Sequence, residues 1–114
     1  MSEFEHWLDQ ESNEIAKAIE PFDVDFEYEK ILEWCATNRG LTITWTENGW
    51  KLAWKYGYIG FDGLKQEDEA KARKAAALFI YLWTKGVSAG IAERCANGYV
   101  LVFDLDRVDR QEMK

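Results

Sequence analysis

Histidine and proline each occur once and cysteine twice, and each scarcity closes off a class of explanation. One proline and eight glycines in 114 residues are too few for a disordered or linker-rich chain. Cys35 and Cys95 fall on two different predicted helices, far apart, and both read as small core residues rather than a disulfide or a reactive thiol. With His6 as the sole histidine, no set of His and Cys has metal-ligand spacing, and no metal or cofactor is expected. The longest apolar run, Ala75 to Trp83, is nine residues, about half a bilayer span. The start, Glu3-Phe4-Glu5-His6, lacks the basic and apolar pattern of a secretory signal. A soluble, cytoplasmic protein with no membrane partner is expected.

Motifs of catalysis are missing as well. There is no Gly-x-Ser-x-Gly elbow, no P-loop and no Gly-x-Gly-x-x-Gly. Gly57, Gly60 and Gly63 recur every third residue around a strand, without a phosphate-loop pattern. Asp104, Asp106 and Asp109 could hold a divalent ion at a strand end, but Arg107 and Arg110 interleave with them and favour a self-paired tail. Lys51 and Lys55 beside threonines, with Lys71, Arg73 and Lys74, are too sparse to bind phosphates against a net charge of −7, so direct nucleic-acid binding is not expected.

What is present is apolar mass and local order. Hydrophobic residues make up 47% and aromatics 15%, enough for a core without metal or disulfide. Ser2 and Glu5 match a capping box that opens a first helix, and Phe4, Trp7, Leu8, Ile15, Ala18 and Ile19 share one face, interrupted at Glu11-Ser12, until Pro21. A second helix runs from Asp25, read as N-cap, to Asn38, with Gly40 as its stop. Leu41–Thr46 and Trp50–Tyr56 alternate strictly about Asn48-Gly49, the preferred type I′ hairpin turn. That turn pairs Trp45 with Leu52, Ile43 with Trp54 and Leu41 with Tyr56 on one face. Thr46 then lies beside Lys51, Thr44 beside Ala53 and Thr42 beside Lys55 on the other.

Gly57 breaks the strand, and Tyr58–Phe61 forms a third strand closed by Asp62-Gly63. A central helix from Gln66 to Lys85 follows, apolar nearly all round in its second half. Ser88 caps a short helix ending at Asn97-Gly98, and Tyr99–Phe103 is a last strand, apolar on both faces. The fold class is α+β in the order ααβββααβ, a small, mostly antiparallel sheet of three to four strands against a central buried helix, with two acidic N-terminal helices. The whole of 1–114 is one domain: an acidic helical third (1–39), a sheet and central helix (41–105) and a charged tail (106–114).

Charge is the feature that departs from average. Residues 1–33 hold eleven acids against two bases, whereas the remainder holds ten acids against twelve bases. The expectation is a docking surface built from Glu11, Glu14, Asp23, Asp25, Glu27, Glu29 and Glu33, carboxylates that can occupy a groove made for phosphates on a basic partner. Trp7, Phe22, Phe26, Tyr28 and Trp34 are the aromatics able to anchor it. In size and charge, though in no motif, the chain resembles the small acidic inhibitors of CRISPR and restriction complexes, and toxin-immunity proteins that bind basic nucleases. A second expectation is self-association as a homodimer through the free edge of the hairpin.

Overall fold

The computed structural model describes residues 3–99. Helix α1 spans Glu3–Ile19 and α2 Tyr28–Arg39. Strands β1 (Thr42–Thr46), β2 (Gly49–Trp54) and β3 (Gly57–Asp62) follow, then a 3-10 turn Gln66–Asp68, α3 (Glu69–Thr84) and a fourth helix, α4, over 89–99. The sheet is antiparallel in the order β1-β2-β3. The chain is one α+β domain, with helices over one sheet face.

That face is set by alternation. Trp50, Leu52, Ile59 and Phe61 point into the helical layer and are buried, while Thr42, Thr44 and Tyr58 on the other face are exposed. Above the sheet, α3 supplies Ala72, Ala75, Ala76, Ala77, Phe79 and Ile80, and its alanines let neighbouring backbones come close. Ile15 and Ile19 of α1, Ile31, Leu32 and Cys35 of α2, and Ala92 and Ala96 of α4 complete one core. Trp54 joins the layers, edge-on to Phe79 and Trp83 at centroid distances of 6.1 and 5.4 Å.

The hairpin forms with its faces as expected but with its register shifted by two residues. Trp45 pairs with Trp50, Ile43 with Leu52, Thr44 with Lys51, Thr42 with Ala53 and Thr46 with Gly49, so the loop is Glu47-Asn48 rather than Asn48-Gly49. A type I′ turn needs positive φ at both central residues, and Asn48 keeps φ negative. Gly49 is instead a strand residue with φ 136°, paired with Thr46 on one side and Asp62 on the other. A Cβ on it would meet the Phe61 carbonyl oxygen at 2.5 Å, so only glycine lets the third strand approach. The Thr46 hydroxyl closes the loop, donating to the Gly49 carbonyl at 2.9 Å and accepting the Asn48 N–H at 3.3 Å. A shift of two preserves side-chain parity, which is why the faces survive.

Further differences lie at element ends. β2 stops at Trp54, Lys55 and Tyr56 make a turn, and Gly57 opens β3 instead of breaking a strand. Asp25 is not an N-cap: residues 20–27 form a loop, and Glu27 precedes α2. Gln66–Asp68 winds as a 3-10 turn, so the α-helix proper begins at Glu69. α4 runs through Asn97 and Gly98, and Tyr99 is helical rather than the start of a strand. The Asn97 amide donates to the Glu93 carbonyl four residues back at 2.9 Å and to the Gly60 carbonyl of β3 at 3.4 Å, which ties this part of the helix to the sheet. Cys35 is buried, but Cys95 is exposed, because α4 turns only its Ala92 and Ala96 side inward. The expected cap at Ser2, strand residues Val100–Phe103, the Asp104, Asp106 and Asp109 cluster and the tail 106–114 lie outside the described residues.

Candidate interaction site

The acids singled out in the sequence separate into two groups. α2 has twelve residues and is therefore about 18 Å long. Glu11 and Glu14 meet its C-terminal residue, Arg39, whereas Asp23, Asp25, Glu27 and Glu29 gather around its N-terminus and Glu33 follows one turn on.

At the C-terminal end the Glu11 carboxylate turns inward, whereas the Glu14 side chain stays 62% exposed. Glu11 is only 12% exposed and accepts from Lys55 Nζ at 2.8 Å and the Tyr56 hydroxyl at 3.0 Å. Tyr56 in turn accepts from Arg39 Nε at 2.9 Å, and Arg39 also reaches Glu14 at 2.6 Å. The bond from Lys55 holds the Glu11 carboxyl below the usual range, against its partial burial, with help from Tyr56 and Arg39. Burial and the bond to Glu11 push the Tyr56 phenol up to about 12. Trp7 covers the cluster, 5.3 Å from Lys55 Nζ and 5.9 Å from the Tyr56 ring. These groups come from α1, α2 and the β2–β3 turn. They form a polar latch that fastens the first helix to the sheet.

At the N-terminal end a loop is held by its own acids. The Asp23 carboxylate accepts the N–H groups of Asp25 at 2.8 Å and Phe26 at 3.2 Å, and the Glu27 N–H donates to the Asp23 carbonyl. Glu27 pairs with Lys30 at 2.7 Å, and that bond, with one from the Asp23 N–H, lowers its pKa. Asp25 lies 3.7 Å from Lys74, and Glu29 takes a bidentate grip on Arg73, at 2.8 and 2.7 Å from Nε and Nη2. Glu33 is exposed and forms no ion pair among the described residues. Glu11, Asp25 and Glu29 thus also fasten the acidic third to basic side chains of the body, while Glu14 and Glu27 pair with Arg39 and Lys30 inside it.

Of the aromatics, Phe22, Tyr28 and Trp34 pack against the core, Trp7 sits on the latch, and Phe26 stands 86% exposed between Asp25 and Glu27. Nothing in the spacing distinguishes Phe26 from Phe22. What does so is the Asp23 turn, which directs one ring inward and the other out.

A groove of about 690 Å³ runs beside the loop, between α1 and the end of α3, lined by Lys17, Glu20, Phe22, Asp25, Tyr81 and Lys85. Its charges are mixed, and among the described residues no buried side-chain polar atom lacks a partner. Among the described residues, too, no three His, Cys, Asp or Glu side chains converge as metal ligands. His6 is exposed on α1, 3.3 Å from the Gln10 amide, and Cys35 is held protonated by burial, its pKa pushed up to about 12. No helix of the described residues is long and apolar enough to cross a membrane.

No family profile matches the chain, and no curated protein or solved structure is significantly similar to it.

Proposed function

We propose that the chain is a non-catalytic binding protein that docks its acidic N-terminal surface on a basic nucleic-acid-handling protein, as inhibitors of CRISPR or restriction complexes do. The observation that supports this reading is the loop 20–27. It presents an 86% exposed Phe26 on a backbone pinned by Asp23, with carboxylates on both sides. A large apolar ring on an ordered loop costs little entropy to bind, and central aromatic anchors carry much of the energy of interfaces. The flanking carboxylates, with Glu20 and Glu33, supply charge where a basic groove expects phosphate and speed encounter.

The test is binding to purified basic partners, among them a CRISPR effector, a restriction endonuclease and a nuclease toxin, with labelled duplex DNA as competitor. The reading requires that binding displace the DNA. Phe26→Ala weakens binding by about tenfold or more, and Glu20→Lys with Glu33→Lys mainly slows association. Absence of binding at low salt across the panel, or wild-type affinity in Phe26→Ala and in the double charge reversal, overturns it.

A further inference from the structure

Gly40-Leu-Thr-Ile-Thr-Trp45-Thr46 is a run of seven uncharged residues in a chain that is 31% charged. It contains β1, an edge strand whose only strand neighbour among the described residues is β2. Sheets commonly blunt a free edge with proline, lysine or a bulge. β1 has none of these: its register with β2 is unbroken, and its five residues are threonine, isoleucine and tryptophan. Such β-branched and aromatic segments without charge are the ones that pair with copies of themselves. Trp45 is 38% exposed at this edge, although it lies on the face that packs the core, and Ile43 beside it is half-buried.

From this we propose that β1 is a dimerisation edge: two copies pair their Thr42–Thr46 strands antiparallel about a two-fold axis through Thr44, joining two three-stranded sheets into one of six strands. An isologous contact sets residue i against j and j against i. With the axis at Thr44, Ile43 faces Trp45 of the second copy twice, a favourable β-branched and aromatic pair that covers the exposed indole. Thr42 faces Thr46 of the second copy on the outer side, and the whole strand is used. An axis one residue away runs the strand past its own end.

The same register extends past the strand ends. It sets the exposed Glu47 of each copy opposite Leu41 of the other, at the end of the strand where Lys55 bonds the Arg39 carbonyl at 3.0 Å.

Light scattering on the full chain from about 1 to 200 µM reads the assembly directly. A mass rising from 13.3 kDa towards twice that value is expected. Thr44 is exposed, so Thr44→Lys and Thr44→Glu leave the fold, followed by circular dichroism, unchanged. Each variant alone sets like charges opposite each other and weakens the dimer. An equimolar mixture restores it, the mixed pair being about tenfold tighter than either variant with itself. Independently, amide exchange of the wild-type chain should show peptides of β1 gaining protection with concentration while those of β3 do not. A wild-type chain that stays monomeric throughout overturns the proposal, as does a dimer indifferent to charge at position 44, or concentration-dependent protection outside β1.

Discussion

Gly49 shows how much one residue can decide. It is flanked by backbone on both sides and has φ 136°, so Gly49→Ala meets both a forbidden conformation and the Phe61 carbonyl. Gly57 has a similar φ of 126° but open space where its Cβ would stand. Gly57→Ala should therefore cost about 1–2 kcal/mol, the strain alone, and Gly49→Ala about 2 kcal/mol more. Urea denaturation of the two variants checks the difference, and equal losses would contradict the close approach of β3. The cysteines differ in the same local way. A thiol reagent should modify Cys95 in the folded protein and reach Cys35 only on unfolding, because Cys35 is fully buried and its thiolate disfavoured. Both positions looked alike in the sequence, since Ala and Cys at helical spacing mark a face without saying how deep it lies.

Between elements, the Glu11 latch makes stability depend on pH. Its folded pKa lies below the ordinary value of 4.5, so its contribution is present above that value and lost as pH falls through the folded pKa. Tyr56 acts at the other end of the scale. Its pKa is raised from 10 to about 12, so its contribution is present below pH 10 and lost as pH climbs towards 12. Glu11→Gln should cost about 1–3 kcal/mol at neutral pH, the range for a partly buried charged hydrogen bond. It should also flatten the acid side of the stability profile measured by urea melts from pH 7 to 3. An unchanged slope would mean that other carboxylates carry the acid sensitivity. At the far end of α2, Glu29→Lys removes the bidentate contact to Arg73 and sets two cations together. A loss of about 1–2 kcal/mol is expected there, against less than about 0.5 for Glu33→Lys. Thermal melts of the pair separate acids that hold the fold from acids that only face solvent. They also show why Glu20 and Glu33, not Glu29, are the positions at which to test docking.

For the molecule as a whole, the net charge of −7 is less one-sided than its distribution along the chain suggested. Lys55, Arg39, Arg73 and Lys74 each face an acid of the N-terminal third, so the field that reaches a partner comes mainly from the acids left over. Affinity for a basic partner should accordingly fall with salt, but by less than eleven carboxylates would imply. Binding measured from about 50 to 500 mM salt gives the slope, and a salt-independent affinity would leave Phe26 without electrostatic help. Local patterning was enough for the α+β class, the order of the described elements and the two faces of the hairpin, because these follow from periods of 3.6 and 2 that act over a few neighbours. Gly40 marked a helix end for the same local reason, with φ of 68°. Tertiary structure alone decided the register, since a slip of two leaves every face unchanged and only the approach of β3 to Gly49 selects between alternatives. It also decided which acids are bound and which are free. Glu11 appeared to interrupt an apolar stripe, and its role became legible only once Arg39, Lys55 and Tyr56, at least 28 residues further along the chain, were folded against it. Ion pairs across such separations leave no periodic trace, because the partner is chosen by packing rather than by spacing.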